Sequence, residues 1–442
     1  MAATLKAFTR GLHEEHLQEI SLLFEQQQAV RQKPAFAWPD AADIESRIEA
    51  HLDALVIGGA TALEVCLHAV REGDFGELYG ATVVFCRQQQ APMLAEVLRS
   101  MDFKNAKKQH ALVMALRKAL PGTWGGFVEQ ALVKGDGRLI PSLAAVSGHL
   151  RLPHGAALMA AWQRGGDHAL PIAEALGRLR ETSAEQLLVG ALSHQDTSVR
   201  DAAALALWRM GRGQLDMGAT PMSGALAAGP AMAVALHPKV EAGQAGAEEV
   251  LALGVLGYVP SWPVLYRALS HEPLAEAAAT ALQWSTGANL QSEVFVAEEV
   301  DEQALFKHEL QAWQQYKQAP RRADGQPFGE TVTQPVTDPS AWQQWFTANA
   351  NRFDSRLRYR DGQPCSPAVL VASLKSLRGD IRLRRCTALE LEIRYGCPVP
   401  FEVDMEVQEQ VAALRTMEAW SQAAGTAFEA GRWYLNGTAL PS

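Results

Sequence analysis

The chain has 442 residues, a formal net charge of −9 and 48% apolar residues. That length supplies two or three domains or one elongated array with ample core. The acidic balance argues against a general nucleic-acid binder, which needs surplus Lys and Arg to displace counterions.

The opening MAATLKAFTRGLHEEHLQEI lacks the long apolar stretch of a secretory signal. A helix is expected over residues 11–31, with Leu17, Ile20, Leu23 and Phe24 on one face. Pro34 and Pro39 break it. Asp40 opens a second helix striped by Ile44, Ile48, His51, Leu52 and Leu55 and ended by Gly58-Gly59. Short helices follow at 61–72, 76–89 and 91–101, so residues 1–90 form a helical N-terminal region.

From residue 91 to 290 the chain repeats itself. SLAAVSGHLR (142–151) lies over PIAEALGRLR (171–180), and AEALGRL (173–179) lies over ALALWRM (204–210), at a step of about thirty residues. ALSHQDTSVRDAAALALWRMG (191–211) and ALSHEPLAEAAATALQWSTG (268–287) share an opening, an alanine-rich helix and a closing Gly. Small residues recur at Ala144, Ala173 and Ala204, and larger apolar ones at Leu150, Leu179 and Met210. Two short helices per unit, none able to bury its apolar face alone, is the logic of an α-solenoid. Residues 212–246 read as an irregular Gly-, Ala- and Met-rich insert, either a degraded repeat or a loop. Its weakly polar run, 218–236, is broken by Pro221, Gly224, Gly229 and Pro230 and is a poor membrane span.

Residues 291–337 read as an acidic run (Glu298, Glu299, Asp301, Glu302), a helix and a Pro/Gly/Thr-rich linker. Residues 338–442 read as a separate C-terminal module. Asp338-Pro339 starts a helix, Asp361-Gly362 turns a short hairpin, and three further helices follow. The fold class is therefore all-α: a HEAT-like α-solenoid with a helical N-terminal region and a small, mainly helical C-terminal module containing a short β-hairpin.

Chemistry is hard to find. No phosphate loop, dinucleotide fingerprint, zinc-protease HExxH or nucleophile elbow is present. The five cysteines, Cys66, Cys86, Cys365, Cys386 and Cys397, show no disulfide or metal spacing and read as mostly buried, reduced thiols. HEEH (13–16) reads as an exposed helix start, and His194 and His271 of the two ALSH copies as turn or cap residues. No catalytic residue, cofactor or metal is assigned. Two basic clusters suit phosphate or an acidic partner surface: Lys104, Lys107, Lys108, Arg117 and Lys118, and the denser Lys375, Arg378, Arg382, Arg384 and Arg385. The second shares its module with Trp342, Trp345 and Tyr359. Arg with aromatics is the composition of interface anchors, so Arg378, Arg382, Arg384, Arg385, Trp342, Trp345 and Tyr359 are the candidate partner-binding residues. The repeat segments 141–211 look mild in charge.

Three stretches together resemble a known family: IESRIEAHLDALVIGG near the N-terminus, the ALSH and W-x-TG repeats, and W-x-x-W-F-x-x-N-x-x-RF with R-x-R-Y-x-x-G-x-P after the linker. They are similar to proteobacterial HEAT-repeat proteins encoded beside type VI secretion spike and effector genes. The resemblance runs from about residue 10 to about residue 415, and the tail from Ala427 departs from it. It implies a non-enzymatic adaptor that docks an effector bearing a PAAR-type tip domain onto the VgrG spike. Its partners would be proteins, neither nucleic acid nor membrane, and its location the cytoplasm, with export alongside the spike left open. The alternatives are a HEAT-fold enzyme acting on nucleic acid and a purely structural oligomer.

Overall fold

A computed structural model describes the whole chain except Met1, Pro34, Ala35, Leu215, Asp216, Glu299, Asp301, Gln303, Ala304, Ala323, Arg378, Gly379 and Ser442, with only the backbone of Ala2 and Ala3. The fold is all-α, with three small two-stranded antiparallel β pairs among the described residues. The chain divides into two compact units: residues 1–235 with 364–442, and residues 236–363.

The first unit starts with α1 (Ala2–Gln32), α2 (Ala41–Ile57), α3 (Gly59–Glu72) and α4 (Phe75–Arg87). The expected face of α1 is the buried one: Leu17, Ile20, Leu23 and Phe24 are all essentially inaccessible. Phe24 stacks on Tyr79 of α4 at 4.2 Å. Asp74 caps α4 by accepting from the backbone N–H groups of Gly76 and Glu77, while the Glu77 carboxylate accepts from the Asp74 N–H.

The repeats follow as α5 (Ala91–Ser100), α6 (Ala106–Ala119), α7 (Gly125–Lys134), α8 (Ile140–His149), α9 (Gly155–Gln163), α10 (Ala169–Leu179), α11 (Glu185–Ala191) and α12 (Thr197–Arg209). Helices α4, α6, α8, α10 and α12 form one layer, each packed on the next, with α7, α9 and α11 behind. Small residues set this spacing. A methyl group on Gly148 of α8 would sit 2.8 Å from Ala175 Cα on α10, and one on Gly177 of α10 would sit 2.8 Å from Ala206 Cα on α12. Ala144, Ala173 and Ala204 are fully buried. The layer ends in α13 (Pro221–Ala227), and α14 (Pro230–Glu241) leads into the second unit. Residues 212–246 thus carry two helices, where sequence alone left a degraded repeat or a loop open.

The second unit contains α15 (Ala247–Leu256), α16 (Trp262–Ala268) and α17 (Glu272–Thr286). Here Gly254 of α15 meets Ala281 of α17, with a methyl group placed 2.6 Å from its Cα. Next come β1 (Gln291–Ala297), α18 (Lys307–Tyr316), β2 (Gly329–Pro335) and α19 (Pro339–Asn349). Strands β1 and β2 pair antiparallel from Gln291↔Pro335 to Ala297↔Gly329. The helix expected within 291–337 is α18, but the stretches either side of it are strands rather than irregular chain and linker: Val294-Phe295-Val296 is a β-branched and aromatic run that favours a strand. The hairpin turns at Asp361 and Gly362, both at positive φ (50° and 71°), between β3 (Tyr359–Arg360) and β4 (Gln363–Pro364).

The chain then returns to the first unit as α20 (Pro367–Lys375), α21 (Ile381–Tyr395) and α22 (Val407–Ala424), followed by a hairpin of β5 (Tyr434–Leu435) and β6 (Thr438–Ala439). The expected module 338–442 is therefore divided, its first part belonging with α15–α17 and its remainder with the N-terminal helices. No helix among the described residues is long and apolar enough to cross a membrane.

Candidate functional site

In the first unit, one arginine or lysine after another lines the C-terminal ends of the α6–α12 layer. Arg117 and Lys118 lie in the last turn of α6, Arg151 just after α8, Arg178 and Arg180 at the end of α10, and Arg209 at the end of α12. The repeat alignment makes Arg151 equivalent to Arg180, and Arg178 equivalent to Arg209. Arg151 and Arg180 also share a left-handed backbone, φ 54° and 51°, a conformation that costs a non-glycine residue about 1–2 kcal/mol. Gly211, equivalent to both, has φ 71° and no side chain.

Every one of these cations meets a carboxylate from the C-terminal segment. Arg117 donates in a two-pronged fork to Asp404, at 2.7 and 3.0 Å. Lys118 pairs with Glu406. Arg178 donates to Glu402 at 2.8 Å, and Arg151 approaches the same oxygen at 3.5 Å. Arg180 and Arg209 share Glu392, at 3.2 and 2.9 Å. Three of the four acids sit on one short loop between α21 and α22. Its side chains alternate: Phe401 and Val403 enter the C-terminal apolar cluster with Leu414 and Met417, while Glu402, Asp404 and Glu406 reach the cations.

The electrostatics follow from partial burial. Desolvation favours a protonated Asp404, yet the hydrogen bonds and charge of Arg117 overcome it and hold that carboxyl well below the usual range. Glu402 is lowered in the same way, its burial outweighed by Arg178 and Arg209. Arg178 is half-buried, and Glu402 and Glu174 raise its pKa against the desolvation this brings. His149, beside Arg117 and Asp404, is pushed down to about 4, first by burial and then by Arg117.

The seam is not close-packed. A cavity of about 250 Å³ lies between α10, α12, α21 and the acidic loop, lined among others by Arg178, Arg209, Arg385, Glu392 and Glu402. At ~30 Å³ per water it has room for several solvent molecules. The two ends of the C-terminal segment are held firmly. Arg394 of α21, fully buried against Glu390, donates to the carbonyls of Ala225, Ala228 and Tyr434 at 2.7–3.1 Å. At the other end the Val407 N–H donates to Glu45 at 2.8 Å, itself paired with Arg31.

The candidate partner-binding residues are scattered by the fold. Trp342, Trp345 and Tyr359 lie in the second unit and the arginine cluster in the first. Trp342 is fully buried, its indole N–H donating to the Val336 carbonyl at 2.6 Å. Tyr359 is buried as well, its hydroxyl accepting from the Asp354 N–H. Both are core residues rather than surface anchors, because each polar tip finds a backbone partner inside. Trp345 is half-buried against Phe346 and Phe353. Arg384 is also interior: it donates to the Leu374 carbonyl and Gln410, lies over Trp38, and is lowered to about 10 by burial. Arg382 is exposed and bonds Asp380, the cap of α21. Arg385 is exposed at the cavity rim, and Arg378 lies outside the described residues.

His13 is buried in the middle of α1 rather than exposed at a helix start. His194 accepts the Asp196 N–H at 3.1 Å and organises its turn, whereas His271 makes no side-chain cap. Burial pushes the thiols of Cys66 and Cys86 up to about 12. Among the described residues no group of three His, Cys, Asp or Glu could hold a metal. No family model, curated protein or solved structure matches the chain.

Sequence reasoning named Arg117 and Lys118 but overlooked the rest of the cation row, although its signal was present. The two aligned repeat pairs already contain the Arg151/Arg180 and Arg178/Arg209 columns. Averaged along the chain their charge looks mild; folded, it collects on one edge.

Proposed function

We propose that this protein is a binding scaffold without enzymatic activity, acting as an adaptor in type VI secretion that brings an effector to the VgrG spike. The single observation that carries the scaffold reading is the row of repeat-equivalent cations along one edge of the α6–α12 layer. A solenoid offers each repeat the same side-chain position, and contacts spread over several repeats suit an extended protein segment. The secretion assignment draws on the sequence resemblance, together with the PAAR-type effector as cargo and the cytoplasm as the site of loading. Arg382, paired with Asp380, and Arg385 lie on the surface; Trp342, Tyr359 and Arg384 serve the fold.

The test is co-purification of the full chain with the spike and effector proteins encoded beside it. A stable complex with either supports the adaptor assignment. Absence of a complex with both, from folded protein, removes it. Salt-sensitive binding to duplex DNA in the same preparation would instead favour a nucleic-acid role.

A further inference from the structure

The acidic loop treats the solenoid edge as a ligand would. Glu402, Asp404 and Glu406 occupy alternate positions of a single loop, and each finds cations from the repeats: Glu406 and Asp404 at the end of α6, Glu402 at the ends of α8 and α10. Glu392 extends the same pairing to α12. One feature sets this seam apart from ordinary core packing: the cavity beneath the loop, lined by charged side chains, has room for solvent within the contact. Arg394 and Glu45 anchor the flanking elements; lifting the loop withdraws Phe401 and Val403 from the C-terminal apolar cluster and releases the Val403 and Met405 carbonyls from Gln410.

We propose that the Arg117–Lys118–Arg151–Arg178–Arg180–Arg209 edge is a reading surface for an acidic protein segment with carboxylates on alternate residues, and that the loop 401–406 is its built-in stand-in, displaced when such a segment arrives. The loop competes from within the same chain, at an effective concentration in the millimolar range. The intact protein therefore binds an external acidic segment weakly, and weakening the loop exposes the surface. This inference rests on the scaffold reading but not on secretion.

The probe is a labelled synthetic peptide of residues 399–408, VPFEVDMEVQ, with a control in which its three acids are replaced by amides. The full-length chain is compared with the triple variant Glu402→Gln, Asp404→Asn, Glu406→Gln, its fold checked by circular dichroism. The variant is expected to bind the acidic peptide at least ~10-fold more tightly than the wild type, to ignore the amide control, and to lose binding when Arg117→Gln and Arg178→Gln are added. A folded variant that binds no more tightly than wild type, or binds both peptides equally, overturns the proposal. Should the triple variant not fold, hydrogen exchange on the wild-type chain decides: saturating acidic peptide must speed exchange at residues 401–406 and leave α4 unchanged, and no change at 401–406 rejects it. No secretion protein enters these assays, so failure here leaves the adaptor assignment standing, and failure of co-purification leaves this one standing.

Discussion

The two units use the same helix contact and finish it differently. In both, a glycine of one helix lies against an alanine of the next: Gly148 and Gly177 in the first unit, Gly254 in the second. In the second unit the helices end in glycines, Gly257 and Gly287, at φ 63° and 61°. The backbone of 358–362 then seals their last carbonyls: Tyr359 N–H donates to Gly257, Asp361 N–H to Trp284 and Gly362 N–H to Ser285, while the buried Arg358 and Arg360 both donate to Val255. In the first unit the equivalent ends carry Arg151 and Arg180 and are covered by carboxylates over a cavity lined by charged side chains. One set of helix ends is closed by short-range backbone hydrogen bonds, the other by charge. The first kind of closure is indifferent to salt and pH; the second is not.

The largest effect is expected where the first unit's cover is dry. Arg394→Met removes the cation paired with the buried Glu390 and strips a donor from the carbonyls of Ala225, Ala227, Ala228 and Tyr434, and should cost about 3–5 kcal/mol in chemical denaturation. A loss below ~1 kcal/mol would show that this anchor does not hold α21 to α13. In the second unit, Gly257→Ala forces a left-handed alanine and sets its methyl 2.0 Å from the Tyr359 carbonyl oxygen. The backbone alone should cost about 1–2 kcal/mol, read as a lower melting temperature, and the clash adds to it. An unchanged melting temperature would mean that 358–362 does not seal α15.

Acid should separate the two closures next. Glu402 and Asp404 have depressed folded pKa values, so their stabilisation is complete above the unfolded carboxylate range near ~4 and is lost as pH falls through the folded values. His149 is depressed to about 4, so its contribution is complete above its unfolded value of ~6.5 and is lost between there and its folded value. It faces Arg117 and Arg151 as well as Asp404 and Glu402. Denaturation midpoints should therefore begin to fall below pH ~6.5. His149→Gln should flatten the upper part of that fall and leave the carboxylate part; identical profiles for variant and wild type would contradict the assignment.

The smallest effect is expected at Arg180. Arg180→Gly relieves the left-handed backbone but loses a partly exposed pair with Glu392, and the two should offset to within about 1 kcal/mol. Arg180→Ala loses the pair and keeps the strain, so it should be the less stable variant. The reverse order would remove strain from the account.

The fold was legible wherever periodicity reports burial. Leu17, Ile20, Leu23 and Phe24 declared the buried face of α1, and the small residues Ala144, Ala173 and Ala204 declared the packed face of the layer. The β1–β2 ribbon was not legible, because its strands lie more than thirty residues apart and β1 is exposed along its whole length, leaving no inside-outside alternation to read. The candidate site failed for a related reason. Trp342, Tyr359 and Arg384 have the residue types of interface anchors, but those types also satisfy a core when a backbone carbonyl or amide is in reach. The cation row and its acids lie more than 180 residues apart, and only folding brings Arg209 to Glu392 or Arg117 to Asp404.

Hydrogen exchange on the intact chain as salt rises tests the central claim most directly. Between ~0.05 and ~1 M salt the screening length falls from above ~10 Å to ~3 Å. Faster exchange is expected at the amides of Met405 and Glu406, with the amides of Tyr359, Asp361 and Gly362 unchanged. Equal acceleration in both regions, or none at 401–406, would contradict a first unit closed by charge.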